Sequence, residues 1–337
     1  MPPSTTAVSL PAHWTSRPPE LDDLPALVAL RSADKEPYTG SGSVDASRVE
    51  SEIAGLRSWT RRQLVAVDPE GVVRAWVAVH DRAAGRTMVH LYVDRSVEQA
   101  AQVAAALYAW TADRARGIAR MRGLHATQLD ASPFADDTVQ RQWLADAGYR
   151  KVRTWLQMSR PVETDEKPPE PRPGVTVRRV RRHDNGLPVA ADLWTVHQML
   201  EESFADHFNS YRESFPEFVQ RLREEPGHDW DQWWLAFVDD PDRPDAEPRA
   251  AGALVATVLP GGSSYVEYIG VNRHARGRGV AKALLGAVIR DVAERGQDSV
   301  GLEVDADSPT GADGLYRAMG WTTDFVTESW HRDVDVT

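Results

Sequence analysis

The chain of 337 residues contains no cysteine. Disulfides, thiolate metal sites and a cysteine nucleophile are therefore excluded. Its 39 lysines and arginines are outnumbered by 50 aspartates and glutamates, which gives a net charge of −11. A protein that binds nucleic acid through the phosphates needs a basic face, so this charge argues against a nucleic-acid partner.

Long apolar runs are missing as well. No stretch approaches the ~20 apolar residues that a membrane helix requires. The segment from Met1 to His13 also lacks the basic and apolar regions of a signal peptide. These absences predict a cytoplasmic protein without a membrane partner. What the chain does contain is 42% hydrophobic and 26% charged residues, a globular composition, and enough length for two domains.

A stretch rich in proline and charge divides the chain. Residues 161–173 read Pro-Val-Glu-Thr-Asp-Glu-Lys-Pro-Pro-Glu-Pro-Arg-Pro. With so few apolar residues, this segment is typical of an extended linker. We therefore predict a flexible tail at 1–19, a first domain at 20–160, a linker at 161–173 and a second domain at 174–337.

The two halves show the same order of predicted elements. Residues 64–68 (Leu-Val-Ala-Val-Asp) and 235–239 (Leu-Ala-Phe-Val-Asp) are apolar strand candidates in equivalent places. Residues 147–149 (Ala-Gly-Tyr) and 319–321 (Met-Gly-Trp) each stand between a helix and a last strand. The pattern predicts two copies of one mixed α+β fold. Two unrelated mixed domains are the alternative.

A basic turn with two glycines, residues 276–281 (Arg-Gly-Arg-Gly-Val-Ala), follows an apolar alternating run at 265–271 and opens an apolar-periodic segment. A strand, a glycine turn and a helix N-terminus together form an anion site. Backbone N–H groups there lack intrahelical partners, the macrodipole favours negative charge, and glycines admit a close approach. The turn therefore predicts a phosphate-binding cradle.

Two motifs in the second half carry a family resemblance. Arg276-x-x-Gly279-x-Ala281 satisfies the Gln/Arg-x-x-Gly-x-Gly/Ala pyrophosphate motif of GNAT-family, acetyl-CoA-dependent N-acetyltransferases. Residues 315–321 (Leu-Tyr-Arg-Ala-Met-Gly-Trp) look like that family's Leu-Tyr-x-x-x-Gly-Phe/Tyr signature. The second half thus resembles a GNAT acetyltransferase, and the tandem layout is similar to that of mycothiol synthase-like proteins. The resemblance implies two tandem GNAT folds, each a mostly antiparallel twisted sheet flanked by helices.

The resemblance also implies acetyl-CoA as co-substrate, with no metal. The pyrophosphate would lie on six residues of the turn: Arg276, Gly277, Arg278, Gly279, Val280 and Ala281. Ile269 and Val271 match the strand positions whose freed backbone groups pair with the pantetheine arm in the family.

The first half departs from this pattern. Its equivalent turn, residues 94–101, has no glycine and contains Asp94 and Glu98, and Ser96-x-x-Gln99 reads as a capping box. We therefore expect the first copy to be degenerate, without acetyl-CoA turnover, and the second to be active.

Two residues are candidates for the chemistry. The resemblance makes Tyr316 the general acid that protonates the leaving thiolate, with a phenol pKa lowered by the adjacent helix end; a core tyrosine is the alternative. Glu267 is the candidate general base, on the face that strand alternation gives to Tyr265 and Ile269. A strand glutamate paired with an arginine is the alternative.

The acceptor pocket has weaker candidates. In the family the end of the first helix lines this pocket, and here it contains Glu202, Asp206 and His207. The two acids are candidates to bind an ammonium group and His207 to contact the substrate; a structural or surface role is the alternative. The prediction is acetylation of a primary amine of a small molecule or peptide, by direct attack within a ternary complex, in a monomer or homodimer. A catalytically silent CoA-binding sensor or interaction module is the alternative function.

Overall fold

The computed structural model describes residues 8–83, 85–204, 213–240, 243, 245–259, 261–308 and 311–336. These residues form two compact units. Unit 1 contains the described residues within 1–156, 305–309 and 324–337, and unit 2 those within 157–304 and 310–323. Among them, no helix combines the length and the apolar composition needed to cross a membrane.

Unit 1 is built from short strands and four helices that the structure describes. The strands are β1 (Thr15–Arg17), β2 (Arg61–Val67), β3 (Val73–Ala83), β4 (Arg86–Val93) and β5 (Ala126–Ala131). The helices are α1 (Leu24–Thr39), α2 (Ala46–Ile53), α3 (Ala100–Met121) and α4 (Thr138–Asp146). A further strand, β6 (Arg150–Pro161), runs from unit 1 into unit 2.

The sheet of unit 1 is antiparallel from β1 to β4, and β5 pairs in parallel with β4. A parallel pair needs a crossover connection, which the long helix α3 supplies. The apolar side of α3 packs on one face of the sheet in a cluster that includes Val77, Leu91 and Leu107. Helices α1 and α2 cover the other face, where Leu27, Val49 and Trp76 are buried.

Unit 2 repeats the same order of elements. Its strands are β7 (Val175–Arg179), β8 (Trp233–Val238), β9 (Arg249–Leu259), β10 (Ser263–Val271) and β11 (Ser299–Asp305). Its helices are α5 (Ala190–Ser203), α6 (Phe215–Arg223), α7 (Val280–Glu294) and α8 (Ala312–Ala318). Strands β7 to β10 are antiparallel, and β11 pairs in parallel with β10 across the crossover helix α7. The internal repeat predicted from the sequence is therefore present.

Buried apolar side chains hold the helices of unit 2 against its sheet. Helices α5 and α6 pack on one face of the sheet, where Val196, Phe218 and Trp233 form a cluster. On α7, Leu284 and Leu285 are completely buried, and burial of each such side chain contributes roughly 1.5–3 kcal/mol. Helix α7 is therefore held firmly, and its N-terminus has a defined position at the end of β10.

Two features differ from the expected boundaries. The last strand, β12 (Thr322–Asp335), places residues 324–337 in unit 1, where Trp330 to Asp335 pair antiparallel with β5. The expected tail at 1–19 contains the edge strand β1, which pairs with β2, and Trp14 packs against the core. The segment is rich in proline and hydroxyl residues, so its composition did not indicate the pairing of β1 with β2.

Candidate active site

Strand β10 opens away from β11 halfway along its length. The parallel pairing runs from Ser263 to Val266 on β10 and ends at the pair Val266 and Leu302. Both strands continue beyond this point, β10 to Val271 and β11 to Asp305. On its other edge, β10 stays paired with β9 as far as Val271. The pairing of β10 with β11 therefore does not extend to residues 267–271, on the edge of β10 that faces the opening.

A β-bulge lies where the opening begins. The register between β10 and β9 shifts between Val266 and Tyr268, so Glu267 is the extra residue of the bulge. A bulge bends the strand and increases its local twist. The bulge therefore accounts for the divergence of β10 from β11, and it puts Glu267 at the apex of the opening.

The bulge also changes which side chains share a face. Thr257, the partner of Tyr265 in the register, donates a 3.1 Å hydrogen bond from Oγ1 to Glu267 Oε1, so Glu267 and Tyr265 lie on one face as predicted. Tyr268 packs with the α5 and α6 cluster on that same face. Since alternation restarts after the bulge, Ile269 lies on the opposite face. The expectation that Glu267 shares a face with Ile269 is therefore wrong.

A largely buried arginine interacts electrostatically with this carboxylate. Arg221 on α6 donates two hydrogen bonds, of 2.8 and 2.7 Å, to Glu213, and its guanidinium lies 5.5 Å from the ring centroid of Tyr268. Burial alone would lower the pKa of Arg221, but Tyr268, Glu213 and Glu267 outweigh burial and raise it. The sequence analysis missed this residue, although an arginine three positions after Phe218 on an apolar helix face was a usable signal.

The predicted phosphate cradle has the backbone that its sequence requires. Gly277 and Gly279 have φ values of 78° and 88°, a left-handed conformation that other residues rarely adopt. Helix α7 begins at Val280, and its first intrahelical hydrogen bond runs from the N–H of Ala283 to the carbonyl of Gly279 at 3.0 Å. The N–H groups of residues 280–282 consequently lack an intrahelical acceptor, which is the arrangement that binds anions.

An arginine from the predicted linker lies against the cradle. Arg172 Nη1 donates a 3.2 Å hydrogen bond to the carbonyl of Gly277. A Cβ atom added at Gly279 would lie 3.0 Å from the Cδ of Arg172. Arg278 Nη2 bonds the carbonyl of Asp239 at 2.9 Å, and Arg276 is exposed. The cradle thus has three arginines within it or against it, of which the sequence analysis had identified two.

A glycine allows helix α5 to approach the diverging strand. A Cβ at Gly270 would lie 2.8 Å from Ser203 Cβ and 3.1 Å from Leu200 Cδ2. Gly270 therefore permits a close approach of α5 to the strand, while the bulge lies three residues earlier.

Tyr316 lies on the short helix α8 with 6% of its surface exposed. Its ring packs edge-on against Trp321, with 6.0 Å between the ring centroids. Burial raises the pKa of Tyr316 to about 12. The expectation that the helix end lowers this pKa is wrong, because desolvation penalises the phenolate. The phenol is therefore protonated at neutral pH and able to donate a hydrogen bond.

The three acceptor candidates are only partly described. Glu202 is exposed at the end of α5 and accepts a hydrogen bond from Asn272 Nδ2. Asn272 follows β10, five residues after Glu267, which corresponds to about 16 Å of extended strand. Glu202 is therefore held near the cradle rather than near the bulge. Asp206 and His207 lie outside the described residues. No metal-binding group of histidine, aspartate and glutamate side chains occurs among the residues that the structure describes.

The equivalent turn of unit 1 has a different backbone. Asp94 Oδ1 accepts hydrogen bonds from the N–H of Ser96 at 3.0 Å and from its hydroxyl at 2.6 Å. Helix α3 begins only at Ala100, and Gln99 makes no side-chain capping bond. The predicted Ser96-x-x-Gln99 capping box is therefore absent. No residue from 94 to 99 has a positive φ. Strand β4 pairs regularly with β3 from Val89 to Val93, and the register shift in this pair lies at the other end, between Asp81 and Ala83.

Comparison with known proteins agrees with this geometry. Residues 196–321 match the model of the acetyltransferase (GNAT) family. The second half of the chain thus matches the GNAT family. The mycothiol acetyltransferase of Salinispora arenicola (strain CNS-205) is 33% identical over 221 residues, which cover 62% of this chain and 66% of that relative. The match thus spans slightly less than two thirds of the relative's length.

Solved structures of GNAT proteins share the tandem fold. The GCN5-related N-acetyltransferase from Sphaerobacter thermophilus superposes with a TM-score of 0.75 at 24% identity, covering 97% of this chain and 98% of the other. A tandem GNAT protein from the clavulanic acid biosynthesis pathway superposes with a TM-score of 0.63 at 14% identity, covering 95% and 98%. The prediction of two tandem GNAT folds is confirmed.

Proposed function

We propose that unit 2 transfers an acetyl group from acetyl-CoA to a primary amine of a small molecule or peptide. The amine attacks directly within a ternary complex. One observation carries the proposal: a single strand, β10, contains the end of parallel pairing at Val266 and the bulge at Glu267, and it leads into the glycine turn at 276–281. An acyl-thioester that also carries phosphate groups requires both an open strand edge for its extended arm and a turn that binds the phosphates.

The GNAT family uses acetyl-CoA, and the residues present fit this co-substrate. Gly277 and Gly279 adopt left-handed conformations and place no side chain in front of the N-terminus of α7. Arg172, Arg276 and Arg278 supply positive charge for the pyrophosphate. The pairing of β10 with β11 ends before Ile269 and Val271, so the backbone groups of these two residues are offered to an extended arm as an added strand would use them.

Glu267 is the candidate base in this proposal. An amine nucleophile must lose its proton before or during attack, and a carboxylate within hydrogen-bond reach or one water away can accept it. The bulge holds Glu267 at the point where β10 and β11 diverge, and Thr257 fixes one carboxylate oxygen. Glu267 is also one of the groups that raise the pKa of Arg221, so a positive charge acts on this carboxylate.

Tyr316 is the candidate acid. A thiolate leaving group needs a proton or a hydrogen bond, and a phenol with a raised pKa remains in its donating form across the neutral range. In this scheme unit 1 does not turn over acetyl-CoA, since its turn has neither the glycines nor the left-handed backbone of the cradle. The relative's name, mycothiol acetyltransferase, supports a small-molecule acceptor.

The proposal is tested by combining the full-length protein with acetyl-CoA and a panel of small amines and amino-terminal peptides. Free thiol release and the acetylated product are measured together. We expect thiol release that depends on one class of amine, with one acetylated product per thiol. Tight CoA binding without thiol release on any acceptor would instead support a catalytically silent CoA-binding module.

A further inference from the structure

One face of the sheet in unit 1 carries charged side chains at positions where a core would be apolar. The strand register places Arg61 of β2 opposite His80 of β3, and Ala78 of β3 opposite His90 of β4. Arg61 and His80 are 4% and 8% exposed. This is the face that α1 and α2 cover, so these polar groups lie between the helices and the sheet.

A single carboxylate lies at the centre of the group. Glu52 Oε1 is 3.3 Å from Arg31 Nη1 and 3.0 Å from Arg57 Nη1, while its Oε2 is 3.9 Å from Arg61 Nε. Burial alone would raise the pKa of Glu52, but Arg31, Arg61 and Arg57 together lower it to about 2. The carboxylate is therefore ionised and is shared by three guanidinium groups.

The two histidines experience a positive potential. Burial and then Arg61 lower the pKa of His80 well below its ordinary value, and the same two causes lower that of His90 to about 4 despite the opposing effect of Glu52. His80 Nε2 is buried and has no hydrogen-bond partner. A buried polar atom without a partner costs about 1–3 kcal/mol, so this nitrogen is suited to meet a bound group or water.

The group is reachable from solvent along β4. His90 and Tyr92 point to the covered face, yet both keep partly accessible side chains. The guanidinium of Arg31, whose side chain is 26% exposed, lies 5.7 Å from the ring centroid of Tyr92. Arg31 and Tyr92 therefore lie on the side of the group that solvent reaches, and Arg61 and His80 lie on its buried side.

The position of this cluster in the strand register corresponds to the bulge region of unit 2. The parallel pairing of β4 with β5 ends at Val89, and His90 is the next residue. In unit 2 the pairing ends at Val266, and the next residue is Glu267. Unit 1 thus places a neutral histidine among arginines where unit 2 places a carboxylate. The difference indicates a ligand of opposite charge.

We propose that the cluster formed by Arg31, Glu52, Arg57, Arg61, His80 and His90 is a binding site for a small oxyanion, either a carboxylate or a phosphate group. Guanidinium groups bind both oxyanions through paired N–H donors, and the histidine nitrogens add hydrogen bonds. Because the proposal concerns unit 1 alone, it holds or fails independently of acetyl transfer by unit 2.

The test uses NMR of the histidine rings in the full-length protein, with signals assigned from His80→Gln and His90→Gln. Sodium phosphate and sodium acetate are titrated in separate arms, and sodium chloride keeps the ionic strength constant. We expect a saturable shift of both ring signals and a higher histidine pKa in at least one arm. Ring signals report unit 1 only, so phosphate bound at the cradle of unit 2 does not interfere.

Two variants locate the binding. Arg31→Gln removes the most exposed of the three guanidinium groups that pair with Glu52. It is expected to weaken binding about 10-fold or more, since a charged hydrogen bond contributes about 1.5–3 kcal/mol. Arg116→Gln is the matched control: Arg116 pairs with Asp113 on α3 of the same unit and should leave binding unchanged. Shifts that do not saturate, or that saturate equally in Arg31→Gln, would overturn the proposal.

Discussion

The left-handed glycines of the cradle give a quantitative prediction. Gly277 has a φ of 78°, is exposed, and a Cβ there would meet no atom within 4 Å. Gly277→Ala therefore adds backbone strain without a steric clash, and a left-handed alanine costs about 1–2 kcal/mol. Because the loop is exposed, the free variant relieves this strain and CoA binding must restore it. We expect CoA to bind about 5- to 30-fold more weakly, measured by calorimetry.

A second glycine supplies the control. Gly296 follows the other end of α7, has a φ of 67°, and also has open space around its Cα. Gly296→Ala carries the same kind of strain at a distance from the cradle, so it should lower the melting temperature without changing CoA affinity. If Gly277→Ala bound CoA as tightly as Gly296→Ala, the cradle would not be the pyrophosphate site.

Changes at Tyr316, Arg172 and His90 also have expected outcomes. Tyr316→Phe should lower kcat roughly 100-fold or more with little change in acetyl-CoA affinity, whereas Tyr265→Phe, whose hydroxyl bonds Gln157, should not. Arg172→Gln should weaken CoA binding and reduce its dependence on salt concentration, measured by calorimetry at two ionic strengths. The pKa of His90 is lowered to about 4 from 6.5, so between these two pH values the unfolded chain binds more protons than the folded chain. The free energy of unfolding should therefore fall by on the order of 3 kcal/mol from pH 6.5 to 4, and less in His90→Gln, measured by urea unfolding.

The residues that could be predicted from the sequence are those whose role depends on the conformation of their own stretch of backbone. Gly277 and Gly279 are required by a left-handed turn, and the apolar periodicity after Val280 identified the helix that begins there. The repeat was visible for the same reason, because equivalent strands need equivalent apolar patterns. Local sequence therefore predicted the fold class and the cradle.

The features that were missed depend on contacts between distant segments. Arg172 reaches Gly277 from a proline-rich stretch whose composition indicates only an extended chain. The bulge at Glu267 appears only in the register with β9, since the sequence of β10 continues to alternate through it. The last strand joins unit 1 because Trp330 to Asp335 pair with β5, almost 200 residues earlier in sequence. Periodicity within one segment contains no information about such pairings.

The two units show that topology alone does not make a phosphate site. In both, a parallel pair of strands separates before the first strand ends, at Val89 in unit 1 and at Val266 in unit 2. In unit 2 a bulge lies directly after the last parallel pair and a turn with left-handed glycines follows, whereas in unit 1 the register of β4 with β3 is regular from Val89 to Val93. In unit 1 the carboxylate of Asp94 instead holds the N–H of Ser96, a group that a phosphate would otherwise bind. A single glycine substitution there would leave this carboxylate in place, so the turn of unit 1 differs from the proposed cradle of unit 2 in charge as well as in backbone conformation.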